Sequence, residues 1–600
     1  MKIYLINPTE LNKFLAKEKK NFFSVLNLTN KQHFSDMITS NTKNLELPLL
    51  DKEKILNDYN ELIGKINNKN NSILWWAELI SSKNLYVSSL YINICKFLQF
   101  IFIIKNTEQD KKILVLIEER DLFNQIASYC KKNKINFVYY GYKKDRLLIP
   151  FKILNQIIKH NIYFLISGWK KKKLINKSLK KIINKNFSKK KSYYIIRTWV
   201  DKRSFDKNDT FSDAYFGKLS KYLQDKRDVI ILAGILSDFE QNIIKIKKNI
   251  QKNLIVPQEY FIGYFDYIEM VFYQLFRDYN QFDEVKFHDY NISLLINGEI
   301  KKSLYFGEVR NNLFYFYLTK KLSNRLKCNT FVYTFENHAW EKMMILGMRK
   351  YSPDTYLVGY QHASVLLREL NYFPSKKETQ DMPFPDKIIS AGIETKKILE
   401  KYGNYPNNLI KSGCALRYEN TAKKDLKPKS KNKKILVAFS IGLQESSKLL
   451  SFLLKSFEKE KSILILLKSH PLLPLNKILF YDDLKIPNNF RVVSNKNIED
   501  LSNEIDMLIY SETTLCIEAL MRGIPVIYAD INKFFNSDPL FDCSYLKWTV
   551  KTKEEIMKVV NEIYEMNYDE FTNQQRLARS YIENYFLSVT DKRLEEFIIR

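Results

Sequence analysis

Asp506-Met-Leu-Ile-Tyr-Ser-Glu-Thr-Thr-Leu-Cys-Ile-Glu-Ala-Leu-Met-Arg-Gly-Ile-Pro-Val-Ile-Tyr528 is the stretch on which the reading of this chain turns. Met507 to Tyr510 is a short apolar run, as expected of a strand buried on both faces. A hydroxyl-rich turn follows, then a helical pattern, Gly523, Pro525 and a second apolar run. Ser511, Thr513 and Thr514 fall where the helix is expected to start. Free backbone N–H groups there, together with the hydroxyls, suit an anion such as a phosphate. Glu518, seven residues beyond Ser511, is expected two helical turns along on the same face. The plain alternative is a βαβ unit in which Ser511 only caps a helix.

Working outward, the region around this stretch repeats the pattern. Apolar runs at Ile435–Phe439, Ile463–Lys468, Phe490–Val493, Met507–Tyr510 and Ile524–Tyr528 alternate with helices near 445–458, 498–503 and 515–522. That is a doubly wound α/β unit. Two more of its strands end in polar loops. Ser440-Ile-Gly442 is small enough for a backbone to approach a ligand, and Lys468-Ser-His-Pro471 brings a cation and an imidazole. Open α/β sheets bind ligands outside the carboxyl ends of their strands.

Upstream lies a second set of strands, at 113–117, 135–140, 193–196, 229–233, 329–334, 355–360, 386–391 and 409–411. Four predicted units follow: an N-terminal accessory segment (1–105), an acceptor-side Rossmann-like domain (106–422), a donor-side Rossmann-like domain (423–575) entered through a lysine-rich linker, and a C-terminal helix (576–600). Three of the six histidines, His338, His362 and His470, stand at strand ends. Two such units facing a cleft would bring them together. Asp201, Arg203 and Asp206, after the 193–196 strand, are candidates for an acceptor pocket, and a loop salt-bridge cluster is the alternative.

Composition narrows the classes. Of 600 residues 45% are hydrophobic and 14% aromatic, which excludes a disordered chain. The net charge of +29 favours anionic partners. The lysines are not interleaved with stacking aromatics at one place, and no nucleic-acid motif is present, so no specific nucleic-acid partner is expected. The lysine-dense stretch 169–192 reads either as a solvated helix face or as a patch in peripheral contact with anionic membrane. Six scattered cysteines without a CxxC pair are expected as reduced core thiols, and no signal peptide is evident, so the expected location is cytoplasmic. The apolar stretch 85–104 contains Asn93, Lys96 and Gln99 and is expected as a buried helix. The Trp75-Trp76 pair is expected in the core, and 147–164 as one or two apolar helices.

Lys-x-His-Pro at 468–471, followed by Ser-x-Thr-Thr-x-x-x-Glu-Ala-Leu-x-x-Gly-x-Pro-Val at 511–526, resembles the donor half of the GT-B glycosyltransferases. More narrowly it is similar to bacterial transferases of CMP-activated acidic sugars, the sialyltransferases and capsule Kdo transferases. Phe335-Glu-Asn-x-x-Trp-Glu341 and Gly359-Tyr-Gln-His362 look like elements of bacterial surface-carbohydrate (capsule or lipopolysaccharide) biosynthesis proteins. The resemblance covers 330–530 by motif, 110–330 by architecture, and 1–105 not at all.

By resemblance, Ser440, Gly442, Lys468, His470, Pro471, Ser511, Thr513 and Thr514 line the donor site and Glu518 meets the ribose. The implied activity is transfer of a sugar from a nucleotide-activated donor, a CMP-linked acidic sugar favoured, to a growing surface glycan or lipid-linked glycan. No cofactor is implied, and no Asp-x-Asp motif stands at a strand end, so a metal-independent reaction is expected. The general base is expected from the first half, with Glu336 first, Asp201 second and His362 third. The first half lacks the Asp/Glu-Asp/Glu-Gly motif of the sialyltransferases, so motif alone does not choose among them. The same fold would serve a CDP-glycerol-type phosphotransferase or a nucleotide-sugar epimerase. A catalytically inactive relative is a third possibility, and a non-catalytic basic scaffold is the reading from another class.

Overall fold

The computed structural model describes the chain apart from residues 18–22, 30–41, 49, 109–110, 142–148, 189, 279–280, 419–425, 482–483, 494–495, 497 and 599–600. The start of the expected 147–164 helix, Lys189 of the lysine run and the start of the 423–434 linker lie outside the described residues. Three parallel sheets organise it.

The first sheet joins β1 (Lys2–Ile6), β2 (Phe23–Asn27), β3 (Thr42–Asn44), β4 (Lys112–Leu116) and β5 (Asn136–Tyr140) in the order β3-β2-β4-β1-β5. The strands at 113–117 and 135–140, expected to open the acceptor-side sheet, instead flank β1. Their apolar pattern would suit either sheet. Helices Lys52–Lys69 and Leu90–Lys105 intervene before β4, so local sequence could not assign its partner. Leu90–Lys105 is buried along nearly its whole length, and Trp75 and Trp76 are core residues, as expected.

The second sheet has seven parallel strands: β6 (Ser192–Val200), β7 (Val229–Ile235) and β8 (Ile255–Pro257), then, after a small hairpin of β9 (Lys286–Phe287) and β10 (Tyr290–Asn291), β11 (Lys327–Thr334), β12 (Tyr356–Tyr360), β13 (Lys387–Ser390) and β14 (Ile410–Ser412). Its order is β14-β13-β12-β11-β6-β7-β8. The chain leaves β6 in one direction and returns at β11 to go the other way. The third sheet, β15 (Lys434–Ala438), β16 (Leu464–Lys468), β17 (Phe490–Val492), β18 (Met507–Tyr510), β19 (Val526–Ala529) and β20 (Lys547–Val550), repeats this device in the order β17-β16-β15-β18-β19-β20. These two sheets are the predicted Rossmann-like pair. Each has a topological switch point, between β6 and β11 and between β15 and β18, the place where open α/β sheets bind ligands at the carboxyl ends of their strands.

β6 is longer than expected. Arg197, Thr198 and Trp199 belong to the strand and not to a loop after it. Arg197 is fully buried, its guanidinium 3.5 Å from the Trp199 ring centroid and 4.4 Å from that of Trp340. The aromatic faces replace part of the lost hydration.

The C-terminal region also differs from expectation. The helix runs from Tyr568 to Tyr585, and the chain then returns to the second sheet. There the Leu587 backbone pairs with Ala391 and Ala415, and Phe597 packs on Tyr360. The 147–164 pattern is realised as one helix, Ile149–Ser178, which continues through the lysine run.

Candidate active site at the two switch points

β11 ends at Thr334, and Phe335 carries the chain into Glu336 at the β6/β11 switch point. Asn337, at φ +60°, turns it sharply, and its amide is tied to the Asn371 carbonyl (2.8 Å). The turn aims Glu336 at two imidazoles. One carboxylate oxygen lies 2.9 Å from His338 Nε2 and the other 3.4 Å from His362 Nε2. Burial alone would raise the pKa of Glu336. Hydrogen bonds from His338 and then His362, with the attraction of either ring when it is protonated, outweigh burial and hold this carboxyl well below the usual range. Burial pulls the His338 ring down, but the Glu336 hydrogen bond and charge raise it overall.

His362 is buried, edge-on to the Tyr215 ring at 5.3 Å. With its Nε2 facing Glu336, Nδ1 is left as the acceptor nitrogen, and it finds no hydrogen-bond partner among the described residues. Beneath them, Glu341 accepts from the backbone N–H groups of Glu336 and His338, and burial pushes its carboxyl up to about 8. Glu369 is likewise pushed up to about 8 by burial.

Asp201 follows β6 at the same switch point, but it is engaged. It caps the short turn of 202–204 and pairs with Arg203, whose Nη2 lies 2.6 Å from its Oδ2. Burial works against ionisation here, and the Arg203 hydrogen bonds overcome it and lower the pKa. Arg203 also donates to Tyr215 Oη (3.1 Å), the ring that supports His362. Asp206 accepts from the backbone of Asn208 and Thr210 and so shapes its own turn.

At the β15/β18 switch point, Ser440 Oγ accepts from Gly442 N (3.1 Å), and Gly442 opens the helix Leu443–Phe457. A Cβ at Gly442 would lie 2.4 Å from Glu445 Oε2, the end of a side chain that can turn away. Ser511 follows β18 directly. Its side chain is buried, and its Oγ has no hydrogen-bond partner among the described residues. A buried hydroxyl left unpaired is costly, and this one lines the crevice beside Glu445, Lys448 and Ser537.

The helix begins at Leu515, as the 515–522 pattern predicts, and is seven residues long. Ser511 therefore precedes it, so the expected two-turn relation to Glu518 on one helical face does not hold. Glu518 sits instead in the helix's first turn. The hydroxyls were read as helix N-terminus because a Ser-x-Thr-Thr turn and a first helical turn share one composition. Thr513 Oγ1 accepts from Leu515 N (3.3 Å), while Thr514 is exposed at the N-cap position without a side-chain cap bond. Lys468 does not turn to Ser511. Its ammonium donates to the Lys496 carbonyl near β17. His470 is half-buried, which lowers its pKa, and its Nδ1 accepts from Leu472 N, while Pro471 is exposed.

The link between the two switch points escaped the sequence reading. Arg368, on the loop after β12, reaches Glu512 (2.9 Å) and Ser537 Oγ (3.1 Å) on the third sheet's side. Its guanidinium lies 3.9 Å from the Tyr86 ring centroid and 4.3 Å from that of Phe535. Arg368 lies on the loop that follows β12 and Glu512 on the loop that follows β18, so loops from the carboxyl ends of the two sheets meet there. The N-terminal unit contributes as well, with Asn84 meeting His338 Nδ1 (3.3 Å). No periodicity or motif marked Arg368, Glu512, Tyr86 or Asn84, because each matters only through a contact distant in sequence. All six cysteines are free and buried. Among the described residues no cluster of three or more His, Cys, Asp or Glu side chains is placed to hold a metal ion, and no helix is long and apolar enough to cross a membrane.

No protein-family model matches the chain, and no curated protein matches it in sequence. Solved structures similar to it include CalG4, the calicheamicin glycosyltransferase, at 9% identity and a TM-score of 0.39, covering 68% of this chain and 98% of that one. The UDP-GlcNAc 2-epimerase of Neisseria meningitidis, bound to UDP-GlcNAc, is similar at 10% identity and 0.38, covering 68% and 99%. MurG of Acinetobacter baumannii is similar at 11% and 0.35, covering 68% and 98%. At TM-scores this low the likenesses carry no weight of their own, and the paired Rossmann-like architecture stands on the strand order of this chain.

Proposed function

We propose that the chain is a glycosyltransferase that takes a sugar from a nucleotide-activated donor. The observation that carries this reading is the placing of two polar clusters at the two switch points, joined across the sheets by Arg368 and Glu512. The donor nucleotide binds at the β15/β18 crevice, where the unpaired Ser511 hydroxyl and the Ser440–Gly442 loop offer groups for its phosphate. The acceptor hydroxyl enters at the β6/β11 crevice.

The best base is the Glu336–His362 pair. A carboxylate held this far below its usual range is a weak proton acceptor, so Glu336 orients the ring and steadies it when charged, and His362 Nδ1 takes the proton. The acceptor O–H breaks to His362 as its oxygen attacks the anomeric carbon. The bond from that carbon to the phosphate oxygen breaks, and its electron pair leaves with the nucleotide. Asp201, held by Arg203, is a positioning residue for Tyr215 and so for His362.

The Lys-x-His-Pro and Ser-x-Thr-Thr elements favour a CMP-linked acidic sugar as donor, and the Phe-Glu-Asn and Gly-Tyr-Gln-His elements favour a bacterial surface glycan as acceptor. The reaction so written uses neither cofactor nor metal. Incubation with candidate nucleotide sugars, with and without a glycan acceptor, tests the reading. Nucleotide release that depends on acceptor supports it. Conversion of donor alone indicates an epimerase, and glycerol phosphate transfer from CDP-glycerol a phosphotransferase.

A further inference from the structure

Two helices away from the switch points expose apolar faces that a solvated surface does not need. On helix Ile149–Ser178 the side chains of Phe151, Leu154, Ile158, Ile162 and Ile166 are all exposed, Phe151 to 73%. Their spacing of three and four residues draws one stripe along the helix. The second helix, Tyr264–Phe276, does the same through Phe265 (84% exposed), Ile268, Phe272 and Phe276. The two helices are joined where Trp169 meets Tyr264. Their rings are 6.1 Å apart, and the Trp169 indole donates to the Tyr264 carbonyl at 3.2 Å. Gly168 makes the close approach possible, since a Cβ there would lie 2.3 Å from the Tyr267 ring.

The charge around this face is predominantly positive. No Asp or Glu occurs between Asp145 and Asp201, whereas Lys152, Lys159, Lys170 and Lys173 punctuate the first helix and stand exposed. On the second helix Asp266 is buried against Lys321 (2.8 Å), and Glu269 is the exposed acid.

We propose that this face seats on the surface of an anionic lipid bilayer, with both helices lying in the interfacial plane. An apolar stripe, flanking lysines and an exposed Trp–Tyr pair between them are what that environment selects. Charge argues against a second copy of the chain as the occupant. A two-fold contact would set this lysine-bearing face against itself, with Glu269 as the exposed acid to offset it. Anionic headgroups complement it.

Co-sedimentation of the full chain with vesicles tests this without any nucleotide, so its failure leaves the donor reading untouched. The chain is expected to pellet with phosphatidylglycerol-containing vesicles and about tenfold less with pure phosphatidylcholine, the difference shrinking in high salt. Phe272→Asp/Phe276→Asp and Leu154→Asp/Ile158→Asp are expected to lose binding about tenfold or more, while Ile244→Asp, exposed elsewhere, keeps it. Amide exchange of the unaltered chain covers the case of a variant that misfolds, with protection of 264–276 expected on adding anionic vesicles. Absence of binding to anionic vesicles, unchanged binding by both double variants, or a dimer that either double variant converts to monomer overturns the proposal.

Discussion

Between Glu336 and His362 the two roles of an acid–base pair are already divided. Glu336→Gln should lower turnover about 10²–10⁴-fold with donor affinity preserved, and His362→Gln should do the same. A nucleotide titration beside the rate measurement separates the two effects. The pH dependence of stability follows from the groups beneath. Glu341 and Glu369 are pushed up to about 8 in the fold, so each keeps its proton where the unfolded carboxyl has lost it. Their contribution is fully present below the unfolded value of about 4.3 and is lost as pH rises toward 8. His338, also raised, acts in the same direction above its unfolded value of about 6.5. Glu336, lowered, acts oppositely, but only at acid pH. Lys342, drawn down to about 7 chiefly by burial, stays protonated in both states below that value and adds no slope there. Thermal stability should therefore fall as pH rises from about 4.5 to 7, and Glu341→Gln should flatten that profile. A profile that keeps its slope in the variant would place the titration elsewhere.

At the level of elements, the parallel strands were the legible part. Buried apolar runs ending in polar loops identified five of the six strands of the third sheet and most of the second, because strands covered on both faces need no partner to declare themselves, whereas the edge strand β20 is only partly buried. Sheet membership was not legible. β4 and β5 carry the same pattern as β11 and β15, and only pairing across intervening helices assigns them to β1. The length of β6 was missed because Arg197, Thr198 and Trp199 look like a loop until Trp340 closes over the guanidinium. The helix expected over 515–522 is found at Leu515–Met521, but Ser511 lies before it and shares no helical face with Glu518.

The junction between the first two units was invisible for the same reason of distance. Lys83 and Glu378 form a fully buried ion pair, joined by Asn60 and Asn67. Glu378→Ala leaves a buried ammonium unpaired and should destabilise by about 3–5 kcal/mol, whereas replacing both partners with Met should recover most of the loss. Urea unfolding of the three proteins compares them. Gly523 is a smaller case. It sits at φ +70°, where a Cβ would lie 2.5 Å from Gln575 Nε2, so Gly523→Ala should cost about 1–2 kcal/mol.

At the scale of the molecule, the described residues form three parallel sheets and one small hairpin, and two of the parallel sheets are joined near their switch points by Arg368 and Glu512. The candidate site was partly legible. Ser440, Ser511, Glu336 and His362 were marked by standing at strand ends; β15, β18 and β11 prove to flank the switch points, and β12, which leads to His362, is the next strand beside β11. Lys468 was marked by the same rule, yet its ammonium turns to Lys496. A strand end fixes where a residue emerges but not where its side chain points. Arg368 and Glu512, which join the halves, were not marked at all. The central claim is that a nucleotide binds at the β15/β18 switch point through Ser511. Its most direct test is the unfolding temperature of the chain and of Ser511→Ala against CMP, CDP, UDP, GDP and their sugars. At about 100 times its dissociation constant, a bound nucleotide adds about 2.7 kcal/mol and raises the midpoint of the unaltered chain by a few degrees. Such a shift is expected for one nucleotide class, strongest for cytidine, with its loss in Ser511→Ala. No shift with any of them, or the same shift in both proteins, would contradict it.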